Sequence, residues 1–155
     1  MGTKIIEGVI FYPVQPISTT GGRVMKGITG LDAHLPAFGE CYFSTARPQD
    51  PKAWKKHSQM VCNLFVPSGA VKFVFFDDRP ASPDFGQVEE FLLSEENYGR
   101  LVIEPGIWFG FSAIGKQRES IILNVASVAH DPSESERLEP GDKQIPYEWN
   151  FNTEL

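Results

Sequence analysis

Apolar and polar positions alternate in short runs along this chain, and glycine and proline separate the runs. Alternation at period two marks half-buried strands. No stretch carries the i, i+3, i+4 spacing of a long amphipathic helix. The pattern predicts strands at Lys4–Tyr12, Gly39–Ala46, Trp54–Val66, Val71–Asp77, Val88–Leu93, Leu101–Ile103, Ile107–Ala113 and Ser120–Ala126. Turn signals lie between them: Pro67-Ser68-Gly69, Arg79-Pro80-Ala81-Ser82-Pro83, Glu104-Pro105-Gly106 and Ala113-Ile114-Gly115. Many short strands with such punctuation read as an all-β sandwich or barrel. The best helical candidate is a turn over Asp131–Arg137, capped by Asp131 or Ser133.

Two segments fall outside the alternation. Ile17–Pro36 is loop-like, and a loop of that length reads as a flap or a partner-contacting arm. From Asp131 to Leu155 the chain turns polar and is expected to pack along the barrel as a tail anchored by Ile145, Tyr147 and Trp149. The expectation is one domain over residues 1–155, with 17–36 as the arm and 131–155 as the tail. A chain of 155 residues buries roughly 70% of its unfolded surface, so disulfide staples are not needed. Cys41 and Cys62 are expected as buried thiols in a reducing cytoplasm. The formal charge of −6 argues against nucleic acid as a main partner, because neutralising phosphates needs a basic surface. No apolar run approaches the ~20 residues of a membrane span, and Glu7 interrupts any leader-like pattern at the start. A cytoplasmic location with no membrane partner is the expectation.

Trp54–Val66 is the most informative run. Read as one strand, it puts Trp54, Lys56, Ser58, Met60, Cys62, Leu64 and Val66 on one face. The other face carries Lys55, His57, Gln59, Val61, Asn63 and Phe65. Lys55–Gln59 either meets solvent or lines a barrel interior with a base, a cation and amides. Alternation leaves both readings open.

An ordered series of motifs runs from Val66 to Phe111. It comprises Gly69-Ala70-Val71-Lys72-Phe73-Val74, Asp77-Asp78-Arg79, Ser82-Pro83-Asp84-Phe85-Gly86, Leu93-Ser94-Glu95-Glu96-Asn97 and Ile103-Glu104-Pro105-Gly106-Ile107-Trp108-Phe109-Gly110-Phe111. In order and spacing the series resembles the 3,5-epimerases of nucleotide-linked 4-keto sugars, and through them the shorter keto-sugar isomerases. The resemblance implies a double-stranded β-helix, the jelly-roll barrel of the cupins. It also implies a nucleotide-sugar substrate, no metal or other cofactor, and a homodimer.

The resemblance also implies site residues. With no gap before Gly69, Lys52 falls on the family's Arg, Lys55 on its catalytic His, and His57 on the second His of the isomerases. With a gap, His57-Ser58-Gln59 resembles the His-Tyr-Gln of the epimerases. Both alignments stay open. Asn124 stands where the family carries its acid Tyr, and Phe109 replaces a family His. The Asp that orients the base in the family lies beyond the terminal Trp, and this sequence ends six residues after Trp149.

The chemistry these residues support is proton abstraction beside a ketone. Neutral His57 suits the base near pH 7, Lys55 suits the enolate oxygen, and Asn124 can polarise a carbonyl. Lys52, Arg23 and Arg47 are candidate diphosphate donors. Gln59, Asn63, Tyr42 and Trp108 complete the expected substrate contacts. Three scattered histidines do not make a metal set, since His34 and His130 lie in loop-like segments. A sugar-nucleotide-binding cupin without turnover and an unrelated small-molecule cupin are the competing readings.

Overall fold

The computed structural model describes residues 1–151. Its strands are β1 (Thr3–Ile6), β2 (Val9–Pro13), β3 (Ile17–Thr19), β4 (Gly22–Val24), β5 (Glu40–Ala46), β6 (Lys52–His57) and β7 (Cys62–Ser68). They continue as β8 (Ala70–Phe76), β9 (Val88–Ser94), β10 (Gly99–Ile103), β11 (Trp108–Ala113), β12 (Ser120–Ala126) and β13 (Ser135–Arg137). A single 3₁₀ turn, Pro132–Glu134, precedes β13.

Two antiparallel sheets face each other. One has six strands in the order β1-β2-β10-β7-β12-β5, and the other five in the order β13-β6-β11-β8-β9. This is the jelly-roll barrel of the cupins. Facing side chains fill the space between the sheets: Cys62, Leu64, Val66, Leu101, Ile103 and Ile122 from one, Val71, Phe73, Phe75, Leu93 and Phe109 from the other.

Several strands are buried on both faces, and the two irregular segments explain why. Outside the five-stranded sheet, Val74, Trp108 and Trp54 pack beneath Leu138, Ile145, Tyr147 and Trp149 of the C-terminal segment. Outside the six-stranded sheet, Phe65, Tyr98 and Val125 pack beneath Met25, Ile28 and Leu35. Ile17–Pro36 is thus partly structured: β3 and β4 form an exposed hairpin, and the stretch after it covers the sheet. Arg100, buried, fastens that cover by donating to the carbonyl of Ala33 and to Asn63 Oδ1.

Local structure departs from the alternation where a turn resets the phase. Lys4–Tyr12 is a hairpin broken at Glu7-Gly8, with Gly8 at φ +87°. Trp54–Val66 is two strands in different sheets, joined by a corner over residues 58–61. Lys55 and His57 face inward on β6, whereas the inward residues of β7 are the even ones, Cys62, Leu64 and Val66. Asn63 and Phe65 therefore face the outer layer, which corrects the single-strand reading. Asp131–Arg137 is a 3₁₀ turn followed by a strand, with Asp131 capping the Ser133 N–H. Cys41 is exposed and only Cys62 is buried, both as free thiols, so the expectation of two buried thiols is corrected as well.

Phe73 is fully buried at the centre of the inner layer. Phe73→Ala is expected to cost about 3–5 kcal/mol, read as a lower urea midpoint at unchanged slope. An unmoved midpoint would contradict this packing.

Candidate active site

One end of the barrel is not filled by apolar side chains. A cavity of about 690 Å³ opens there, within the usual size of small-molecule sites. Tyr42, Ser44, Cys62, Leu64, Ile122 and Asn124 line it from the six-stranded sheet. Lys52, Lys55, His57, Phe109, Phe111 and Arg137 line it from the five-stranded sheet. Glu139 and Asp142 stand at the side formed by the C-terminal segment.

His57 ends β6, where the chain leaves one sheet for the other. Its Nδ1 meets Glu134 Oε1 in a short contact, and both side chains are buried. The other oxygen of Glu134 accepts the backbone N–H groups of Gln59 (3.1 Å) and Met60 (3.2 Å). Ser58 donates both its N–H and its hydroxyl to the Glu134 carbonyl, each at 2.7 Å. Burial opposes ionisation of Glu134, but His57 and the two N–H groups outweigh it and hold the carboxyl below its ordinary value. With Nδ1–H directed at the carboxylate, Nε2 keeps its lone pair, and the Phe109 ring stacks alongside at 6.0 Å.

Burial lowers the His57 pKa, and the charges of Lys55 and Arg137 lower it further. Glu134 works in the opposite direction without reversing the shift. The ring is therefore neutral near pH 7 and free to accept a proton. Lys55 sits two residues earlier on the same wall, its pKa lowered by burial and by Arg137. Among the described residues its ammonium makes no hydrogen bond or ion pair. A cation held without a partner in a cavity is suited to an oxyanion that arrives with the substrate. Burial pushes the Cys62 thiol up to about 12, which leaves it a poor nucleophile. Among the described residues no cluster of three or more His, Cys, Asp or Glu is arranged to hold a metal ion.

Of the residues singled out in the sequence, Lys52, Lys55, His57, Tyr42 and Asn124 come together here. Asn124 Nδ2 donates to the Tyr42 hydroxyl at 3.0 Å. Lys52 lies over the Phe111 ring and donates to the Thr45 carbonyl. The other five lie elsewhere. Gln59 is exposed in the corner after β6, and Asn63 is engaged by Arg100, His34 and Val125 on the outer side. Trp108 donates to Asp78 on the outer face of its sheet, because β11 alternates and its neighbour Phe109 takes the inward position. Arg23 pairs with Glu95 and Arg47 with Glu119, both at the surface.

Sequence reading missed Glu134 and Arg137. It found the turn that carries Glu134, and the spacing Asp131-Pro132-Ser133-Glu134 is that of a capping box. Nothing local told that the carboxylate reaches back to His57.

Comparison with known proteins bears on the same residues. Residues 54–155 match the sequence model of the family described as dTDP-4-dehydrorhamnose 3,5-epimerase. The chain belongs to this family. Within reach of it lies the probable low-salt glycan biosynthesis epimerase Agl13 of Haloferax volcanii, 33% identical over 108 residues. That match covers 69% of this chain and 65% of the relative, so this chain spans just under two thirds of its length. The crystal structure of a dTDP sugar isomerase from Desulfovibrio desulfuricans G20 is 34% identical, with a TM-score of 0.88 over 93% of this chain and 92% of that one. ChmJ, a 3'-monoepimerase from Streptomyces bikiniensis solved with dTDP-quinovose, shares the fold at 17% identity, with a TM-score of 0.85 over 100% and 81% of the two chains. In this chain the carboxylate that meets His57 is Glu134, from the turn before β13.

The His57–Glu134 contact has a direct consequence for titration. By NMR, the His57 ring is expected to titrate below 6.5, and Glu134→Gln to move the midpoint lower still. The sign follows because the carboxylate favours imidazolium. A rise would contradict the contact.

Proposed function

We propose that this chain is a metal-independent epimerase or ketoisomerase acting on a nucleotide-linked 4-keto-6-deoxy sugar. The reaction serves deoxysugar or surface-polysaccharide synthesis in the cytoplasm. The observation that carries the reading is a neutral imidazole, oriented through Nδ1 by a buried carboxylate, beside an unpartnered lysine in one cavity. His57 Nε2 removes the proton next to the ketone. Lys55 holds the negative charge that gathers on the oxygen, where a low-dielectric site makes that charge count most. Arg137 and Lys52, on the same wall, are the cations within reach of a diphosphate. The family membership and the relatives named as a glycan epimerase and a dTDP sugar isomerase support the same reading.

A second reading, a sugar-nucleotide binder without turnover, draws its support from Asn124 at the family's Tyr position. It loses ground through Glu134, which supplies an orienting carboxylate.

Solvent deuterium uptake by a panel of dTDP-, UDP- and GDP-linked 4-keto sugars separates the two. The wild-type protein is expected to exchange the proton beside the ketone. His57→Asn is expected to slow that exchange by about 10²–10⁴-fold with the nucleotide still bound. Binding with no exchange in the wild type would establish the non-catalytic reading instead.

We further propose that the working form is a homodimer. β5 is an edge of the six-stranded sheet, and Phe43 on it is 69% exposed, with Ile121 also exposed on the neighbouring strand. Bare edges and apolar surface of this kind favour covering by another chain. Light scattering is expected to return twice the chain mass. A monomer mass would remove the proposal.

A further inference from the structure

We propose that Tyr42 is the group that returns the proton, from the wall opposite His57, and that Asn124 positions it. The inference rests on the proton abstraction proposed above and decides between its two outcomes. His57 belongs to β6 in the five-stranded sheet, whereas Tyr42 belongs to β5 in the six-stranded sheet. Both line the same cavity, so the imidazole and the phenol meet a bound sugar from opposite walls.

The resemblance places the family's acid Tyr at Asn124. In this chain Tyr42 stands directly across from Asn124 in the β12–β5 register. The amide joins them. Asn124 Oδ1 accepts the Asn63 N–H at 3.2 Å, which fixes the amide's orientation and leaves Nδ2 to donate to Tyr42. The Tyr42 oxygen thus accepts a hydrogen bond, and its own hydrogen stays free for a substrate atom. Burial raises its pKa, so the phenol is protonated at neutral pH.

The alternatives in the cavity serve less well. Lys55 shares the strand and wall of His57, so it would return the proton to the side it left. Cys62 comes from the six-stranded sheet, but only 1% of it is exposed. Of the other tyrosines, Tyr98 donates to the Lys26 carbonyl, Tyr147 to Glu90, and Tyr12 packs on Arg100.

The step balances without a redox partner. His57 Nε2 takes the proton beside the ketone. The C–H electron pair becomes the enolate double bond, and the carbonyl pair moves to the oxygen near Lys55. On collapse, the double-bond pair takes the phenolic proton of Tyr42 on the opposite face. Tyr42 is left as phenolate and His57 as imidazolium, and water exchange restores both. Entry on one face and exit on the other invert the carbon, so the reaction is epimerisation rather than same-face ketoisomerisation.

The test follows dTDP-4-keto-6-deoxyglucose in D₂O by NMR, reading label uptake and inverted sugar separately. The wild type is expected to show both. Tyr42→Phe is expected to keep the label uptake, through His57 alone, while inverted product falls by about 10²–10⁴-fold. Inverted product at the wild-type rate in Tyr42→Phe would overturn the assignment, as would its loss in Cys62→Ala with Tyr42→Phe unaffected. If the wild type takes up no label, the abstraction reading fails as well. If only His57→Asn abolishes uptake and Tyr42→Phe changes nothing, the acid assignment alone fails. Asn124→Ala is expected to shift the alkaline limb of the rate upward, because its N–H no longer favours the phenolate. An unmoved limb would remove the positioning role.

Discussion

The buried carboxylate of Glu134 ties the site to the fold. A buried charge is costly unless it is fully hydrogen-bonded, and this one has three partners. They are the His57 imidazole and the N–H groups of Gln59 and Met60. Those N–H groups belong to the corner where the chain passes from the five-stranded to the six-stranded sheet. One carboxylate therefore satisfies two N–H groups of that corner and sets the tautomer of the His57 ring. Removing it would leave the His57 ring and the buried Met60 N–H without their partner.

The second constraint is the covering of both sheets. Two irregular segments, the one ending near Leu35 and the one from Leu138 to Trp149, cover part of each outer face. Each sheet is thus anchored from outside, and the inner layer does not need to fill the whole barrel. The open end can hold polar groups because the outer layers supply the apolar burial that such an opening removes. The same C-terminal segment carries Glu139 and Asp142 to the cavity, which couples the closing of the fold to the lining of the site.

The chemistry proposed for this chain places its groups at positions shifted from the family pattern. In that proposal the base stands at the end of β6, the orienting carboxylate comes from the turn before β13, and a phenol faces the cavity from β5. Such shifts are physically inexpensive in a barrel. What the chemistry needs is a group at a point in the cavity, and adjacent strands of one sheet offer that point almost equally well.

The sequence by itself determined the strands, most of their limits, the all-β class and the ordered scaffold motifs. These are local properties, set by alternation and turn residues. It also reached Lys55 and His57, because both lie before the corner and share one face. Lys52, Tyr42 and Asn124 also line the cavity as expected, but across the corner the reading as one strand failed. Asn63 leaves the cavity since the inward parity changes between β6 and β7, and Gln59 is spent in the turn itself. Trp108 and Arg23 are claimed by Asp78 and Glu95. Glu134 lies 77 residues from His57 along the chain. Only the tertiary structure decided these matters, because which wall a side chain faces after a crossing, and which distant carboxylate meets it, depend on contacts between sheets that no local pattern encodes.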